Sequence, residues 1–572
     1  MYLRTTQRRN KDGSVVRYVQ LAHNHRVQGL TQAEVLLNLG REDAVDRDAL
    51  ARLVASINRY LGEPAVTAVP ADAAALVGDG LRVTESRPMG TVHLFDGLWR
   101  ALGVDTALRR VLGTRRFTTD VERVLFALVA NRAVDPASKL AAAEWACCDV
   151  AIAGLEAMDE DQAYRAMDLL VEADAQAKVQ EAVFFAVADL LNLEVDLLLF
   201  DTTSTYFERD TEEEGEAAFR NYGHSKDHRT DLPQIVIGLA VTKEGIPVRC
   251  WCWPGNTNDQ TVLPEVRDGM RDWRLGRVVT VVDRGFSSET NLDYLTRAGG
   301  HFIAGERMRS GVRLVAQALA RQGRYQNVRD NLRIKEVRLD GSPGRRWVIC
   351  HNPEEAARNK AQREAALERV TLELERIKTV RDQATRRKSS AKSTQKQGAE
   401  EAAHVKAECA LRDHPALGRW LRQQPSGRLV IDRKKVAAEQ RLDGKYLLST
   451  SDPDLTAEDV ALGYKNLLEA ERGFRDLKST LELRPVFHRL EPRIRAHVLL
   501  AWLALLLIRV AERRTGLTWR RIGIELGRVH AVTLTGSAGS LVHLTPLNTA
   551  QTGILRDCQV PPPATVTALH PT

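Results

Sequence analysis

Leu197-Leu198-Leu199-Phe200-Asp201-Thr202-Thr203 is an unbroken apolar run ended by a carboxylate, and Val278-Val279-Thr280-Val281-Val282-Asp283 repeats the arrangement further along the chain. Short continuous apolar runs of this kind read as strands buried on both faces, the kind found in sheets covered by helices. Between them, Ile235 to Val241 and Val248 to Trp253 are two more strand-like runs joined by the polar turn Thr242-Lys243-Glu244-Gly245-Ile246-Pro247, which predicts a hairpin. A helix near Pro264 to Trp273, another around Ser288 to Ala298 and a fifth strand at His301 to Ala304 complete an α/β pattern. In an open sheet of this class ligands bind beyond the carboxyl ends of the strands. If the first and fourth strands are neighbours, Asp201 and Asp283 converge.

Outward from this core, the pattern divides the chain into six stretches. Residues 1–85 are a small mixed module, with alternation at Val15 to Leu21 and a helical segment near Asp48 to Tyr60. Residues 86–190 are helical almost throughout. The first part of the core covers 191–309, and 310–445 reads as an insertion. Within that insertion Leu367, Val370, Leu374 and Ile377 step by three and four residues along a charged helix, the seam of a helical hairpin. The basic, Ser-rich run from Arg386 to Lys396 at its tip is either a solvated loop or a phosphate-contacting arm. The second part of the core, 446–525, opens with a strand at Tyr446 to Thr450 and continues with one long helix from Glu458 through Leu481. Residues 526–572 read as a C-terminal tail.

Composition excludes several classes. The 572 residues are enough for several domains, and 44% hydrophobic content excludes a disordered chain. Lys and Arg total 82 against 75 Asp and Glu, so the +7 excess is too small to name a partner unless its location is considered. Seven cysteines include no zinc-spaced pairs and fit a reducing cytoplasm. The basic start from Met1 to Arg9 runs into Asn10-Lys11-Asp12-Gly13 without an apolar segment, so no signal peptide is expected. Val498 to Ile508, the longest apolar run, falls short of the roughly 20 residues of a bilayer span and predicts a buried core helix, hence no membrane role.

A third acid lies on the helix Tyr464-Lys465-Asn466-Leu467-Leu468-Glu469-Ala470-Glu471-Arg472-Gly473-Phe474-Arg475-Asp476-Leu477-Lys478. Tyr464, Glu471 and Lys478 are seven residues apart, so at 3.6 residues per turn each is turned only about 20° from the last and all three share a face. Leu467, Ala470, Phe474, Leu477 and Leu481 form the adjacent apolar stripe that can dock on the sheet and present Glu471 beside Asp201 and Asp283. Three converging carboxylates repel one another unless cations neutralise them. Mg²⁺ does so with carboxylates, waters and phosphate oxygens, and a pair of ions suits phosphoryl transfer. Lys478 and Arg475 could grip a phosphodiester backbone while Tyr464 donates or stacks.

These residues resemble the DDE transposases of bacterial insertion sequences, whose helix motif is Tyr-x2-Arg-x3-Glu-x6-Lys; Tyr464, Glu471 and Lys478 match it. Leu467 stands where the pattern has arginine, which leaves Lys465 or Arg475 as candidates for its phosphate contact. Phe200-Asp201-Thr202-Thr203 and Val282-Asp283-Arg284-Gly285-Phe286 are similar to the family's other two acid motifs. Tyr222 to Arg229, Pro254-Gly255-Asn256-Thr257, Asn131-Arg132 and Asp135 to Lys139 are also similar to stretches in its members. The resemblance implies a ribonuclease H-like mixed sheet core interrupted by an insertion domain, behind a mainly helical N-terminal region, with 86–190 as the candidate DNA-binding region. It further implies catalytic and metal-binding roles for Asp201, Asp283 and Glu471, and DNA contacts from Tyr464, Arg475 and Lys478. Mg²⁺ dependence with two ions, Mn²⁺ as a substitute, transposon-end and target DNA as partners, a homodimer in the synaptic complex and a nucleoid-associated bacterial cytoplasmic location follow from it too.

Taken one at a time the same residues have plainer readings. Asp201 before Thr and Ser fits a cap or turn, Glu471 and Lys478 fit a solvated helix face, and His224 and His228 fit a polar loop. Trp251 and Trp253 alternate along one strand and fit sheet-face packing. Asp201-Thr202-Thr203-Ser204-Thr205 is also similar to the nucleophile loop of aspartyl-phosphate pumps, which need membrane spans. A catalytically silent DNA-binding regulator derived from a transposase is the other alternative.

Overall fold

A computed structural model of the chain describes residues 2–9, 15–27, 30–41, 44–45 and 81–571, apart from 114–119, 173–174, 192, 194–195, 209–212, 214, 216–217, 272, 274–276, 310, 341–343 and 389–394. The expected helix near Asp48 to Tyr60 and the centre of the Arg386 to Lys396 tip lie outside the described residues. Two compact units are present: Met1–Thr84 with Thr533–Leu541 and Ala568–Thr572, and Glu85–Val532 with Val542–Thr567. In the first, Tyr2–Arg9, Val15–Val27 and Leu30–Arg41 pair as a three-stranded antiparallel sheet.

The second unit is built on a nine-stranded sheet. Its strands are β1 (Leu197–Tyr206), β2 (Gln234–Thr242), β3 (Pro247–Pro254), β4 (Val279–Val282), β5 (His301–Glu306), β6 (Gln326–Arg329), β7 (Leu332–Arg338), β8 (Arg346–His351) and β9 (Lys445–Thr450). They lie in the order β6-β7-β8-β9-β5-β4-β1-β2-β3. β1, β4 and β5 run parallel, while β2 is antiparallel to both β1 and β3. A 3-2-1-4-5 order with an antiparallel second strand is the ribonuclease H-like arrangement, so the mixed α/β fold implied by the resemblance is observed. All nine residues of β2 are buried, as a central strand covered on both faces must be.

Two expectations about local structure are corrected. Asp201 does not close its strand: β1 continues through Tyr206, because Thr202 to Tyr206 keep pairing with β2 after the parallel partner β4 has ended at the Phe200–Val282 pair. The long helix through Leu481 is two helices, α2 (Ala457–Lys465) and α3 (Leu468–Ser479), preceded in the chain by α1 (Val121–Val134) and followed by α4 (Glu491–Thr515). Between α2 and α3, Leu467 N–H donates to the Tyr464 carbonyl at 3.1 Å, and Ala470 N–H to that of Leu467 at 3.0 Å. Such i to i+3 bonds wind tighter than an α-helix. Leu467 is 7% exposed and belongs to the main apolar core, so an apolar side chain at this position draws the turn inward.

Within 310–445, β6, β7 and β8 extend the sheet through β9, and it is residues 353–440 that leave it. Helices Pro353–Lys388 and Gln395–Arg412 pack together, and Val370, Ile377, Leu411 and Trp420 are buried in their separate small core. Within the C-terminal stretch, the capped helix Thr549–Asp557 buries Ile554 and Leu555. The helical block 86–190 shares its core with the nine-stranded sheet. Every residue of α1 from Glu122 to Ala133 is buried, which leaves that helix no free face for a DNA groove. α4 is long and apolar enough to cross a membrane, yet its residues from Val498 to Ala511 are buried inside the protein against α1 and the helix Glu160–Glu172.

Where α1 meets the loop after α3, basic groups gather, and among the described residues Arg132 is bonded by carbonyls and not by a carboxylate. Arg132 donates to the carbonyls of Ala137 (2.7 Å), Glu482 (3.2 Å) and Leu481 (3.3 Å), and His488 and His497 lie with ring centres 5.1 Å apart. Burial, joined by the charges of Lys139 and Arg132, pushes His488 down to about 3 and His497 well below the ordinary range. In the unfolded chain both imidazoles take up a proton near pH 6.5, and in the folded chain only far lower. The unfolded state therefore binds more protons at these two sites in this window, and their contribution to stability falls as pH drops below about 6.5. Each histidine is expected to cost up to about 1.4 kcal/mol per pH unit. Denaturant melts between pH 7 and 4 check this, and His488→Phe should flatten the slope.

Candidate active site

The register of the parallel strands positions the first two acids. Phe200 pairs with Val282, so Asp201 and Asp283 follow side by side at the end of the β1–β4 ladder. Asp201 is one-fifth exposed, and its carboxyl is pushed up to about 6, first by burial and further by the charges of Asp283 and Asp259. The Lys226 ammonium opposes this, with Nζ 3.9 Å from Asp201 Oδ1. Asp283 Oδ1 accepts a 2.7 Å hydrogen bond from the Tyr464 hydroxyl. Burial and the Asp283 charge hold that phenol far above its ordinary range, so it stays a donor. Tyr464 stacks on Tyr446 at 6.0 Å and covers Gly305, where a Cβ would collide with its ring.

Glu471 is exposed on α3, which docks on the sheet through Phe474 and Leu477 and through Gly473, where a Cβ would come within 2.8 Å of Leu239. A cleft of about 720 Å³ is lined by Asp201, Asp283 and Glu471 together with Tyr464. Arg284, Arg307, Lys445 and Lys465 also line it, and no ion pair involves any of them among the described residues. Lys465, one of the two candidates for the missing arginine's contact, is thus at the cleft; Arg475 is exposed and does not line it.

Lys478 is placed differently from the expectation of an open DNA grip. Its ammonium donates to Thr203 Oγ1 and to Asp227 Oδ1, each at 2.7 Å, and the side chain is only 12% exposed. Burial lowers its pKa, and Asp227 opposes that shift. Four further residues escaped the reading of single motifs. Lys226 bonds the Thr202 carbonyl and hydroxyl at 2.7 Å and pairs with Asp259 at 3.2 Å, while Arg484 pairs with Asp227 at 2.7 Å. The Tyr222 to Arg229 motif carried the signal for Lys226 and Asp227, whereas Asp259 and Arg484 had none. Trp251 and Trp253 are buried and stacked face to face at 6.3 Å, and so pack the sheet.

As metal donors, Asp201 and Asp283 fit. A buried carboxyl raised by its acidic neighbours is relieved by a hard cation, and all the converging donors are carboxylate oxygens. Glu471 lines the same cleft without closing on them: among the described residues no three His, Cys, Asp or Glu side chains are grouped tightly enough to hold an ion.

Residues 3–70 match the sequence model of the IS1634 family transposase N-terminal domain, and residues 196–507 that of the transposase DDE domain. No curated protein matches the chain. Among solved structures, a cryo-EM structure of a piggyBac transposase synaptic complex with hairpin DNA aligns over 78% of this chain and 82% of its own. The identity is 10% and the TM-score 0.35. The DDE match spans more than half of the chain and contains all three acids, so the protein belongs to the DDE transposases of insertion sequences.

Proposed function

We propose that this transposase cuts and joins phosphodiester bonds at the ends of its own mobile element, with Asp201, Asp283 and Glu471 as the catalytic acids. The observation that carries the reading is the register that sets Asp201 beside Asp283 at one end of two parallel strands, in a cleft that Glu471 also lines. The three carboxylates would hold two Mg²⁺ ions, or Mn²⁺, which supply activation of an attacking hydroxyl and charge stabilisation of the leaving oxygen. Tyr464 fixes one oxygen of Asp283 and so orients the carboxylate. Lys226 offsets the charge of Asp201 and keeps its chain end on β1. Arg284, Arg307, Lys445 and Lys465 supply the positive rim along which a DNA backbone lies.

Transposon-end and target DNA are the partners in this reading, and a homodimer brings two ends together. A footprint on the inverted repeats flanking the gene tests it, with binding, protection and Mg²⁺-dependent nicking measured on the same fragment. Protection confined to those ends, with nicks at their boundary, is the expected result. Binding and protection without nicking in either Mg²⁺ or Mn²⁺ would favour the silent regulator instead.

A further inference from the structure

Beside the acids, Lys478 and Arg484 both place a nitrogen 2.7 Å from the same oxygen, Asp227 Oδ1. Lys478 also donates to Thr203 Oγ1, and Thr203 lies two residues beyond Asp201 on the same face of β1, about 7 Å along the strand. Two cations converging on one anionic oxygen, with Thr203 Oγ1 accepting from the lysine and holding it in place, are donors of the kind that a phosphodiester oxygen takes. The other Asp227 oxygen is buried and has no hydrogen-bond partner among the described residues, so among them the carboxylate is held by these two cations. Arg484 is the open side of the group: it is about one-third exposed and lies over the Tyr206 ring at 5.6 Å. The loop that delivers Asp227 is anchored by Lys226 N–H on Ser204 Oγ at 2.8 Å and passes through His228 at φ +59°, a left-handed conformation disfavoured for a side-chain-bearing residue.

We propose that Lys478, steadied by Thr203, and Arg484 form a phosphodiester-binding site occupied in the DNA-free protein by the Asp227 carboxylate, which a DNA phosphate displaces. The inference rests on the DNA-cutting reading above. It explains why Lys478 is tied down inside the protein when a DNA contact was expected at the surface. It also adds Arg484, which no helix spacing pointed to, as a second phosphate ligand. The cost of expelling Asp227 lowers the apparent affinity for DNA, as any equilibrium with a closed, non-binding state does.

Equilibrium binding of the full chain to a duplex carrying the element's end, measured between 50 and 300 mM NaCl, tests the proposal. Asp227→Asn is expected to bind about tenfold more tightly at low salt. Arg484→Gln is expected to lower the slope of log K against log salt by about one, the loss of a single phosphate contact. If Asp227→Asn fails to fold, the Arg484→Gln slope decides alone. Weaker binding by Asp227→Asn, or an Arg484→Gln slope equal to wild type, would overturn the proposal and leave Asp227 as a positioning residue. Wild-type protein that bound no end-containing duplex would overturn the functional reading and this site with it, whereas binding with unchanged variants would remove only the site.

Discussion

Replacing Asp283 by Ala, or Asp201 by Asn, is expected to abolish metal-dependent nicking of an end-containing duplex, by about a thousandfold or more, while DNA affinity changes little. Both side chains lie at the end of the β1–β4 ladder, and neither contributes a positive charge to the backbone grip. A second readout separates catalysis from structure. The Asp201 carboxyl is pushed up to about 6, mainly by burial, so its ionised form is strained in the folded protein. For an acid raised in this way the folded state binds the extra proton, and stability declines as pH rises through roughly 4 to 6. Asp201→Asn should therefore melt at or above the wild-type temperature at pH 7.5 while losing activity. A variant that lost activity only in proportion to its lost stability would be structural, and an Asp283→Ala protein that still nicked DNA would remove that residue from the catalytic set.

The second large effect is expected at Arg132, which is 6% exposed and spans three carbonyls, two of them at the end of the chain turn that follows α3. Burial lowers its pKa to about 10, still well above neutrality, so a buried guanidinium is charged and answered mainly by carbonyl dipoles. Arg132→Ala leaves those carbonyls without a donor and is expected to cost about 3 kcal/mol or more in denaturant unfolding. Arg132→Lys keeps the charge but lacks the fork that reaches three acceptors, and should recover only part of the loss. Because Leu481 and Glu482 directly follow the helix bearing Glu471 and Lys478, nicking should fall in both variants by more than the unfolded fraction explains. Destabilisation below about 1 kcal/mol in the alanine variant would show that water replaces the guanidinium at these carbonyls.

The local chemistry of the chain determined much of this protein. Apolar runs ended by Asp201 and Asp283, a polar Gly-Pro turn, and an apolar stripe beside Glu471 were enough for a mixed α/β core, its hairpin and the three acids, because burial and strand propensity act over a few residues. Val498 to Ile508 likewise announced a buried helix by its composition alone. What spacing could not supply was anything set by partners distant in sequence. The end of β1 depends on where β4 stops and β2 continues, so Asp201 is internal to its strand although the apolar run ends there. The break between α2 and α3 arises because Leu467 is drawn into a core assembled from several elements, which an ideal 3.6-residue count cannot register. Lys478 read as a free cation on a helix face, and only the fold shows the Asp227 carboxylate, 251 residues away in sequence, bound to its ammonium. Residue types and short-range periodicity thus fixed the chemistry, and tertiary packing decided which of those charges meet, because electrostatic partnership depends on distance in space and not along the chain.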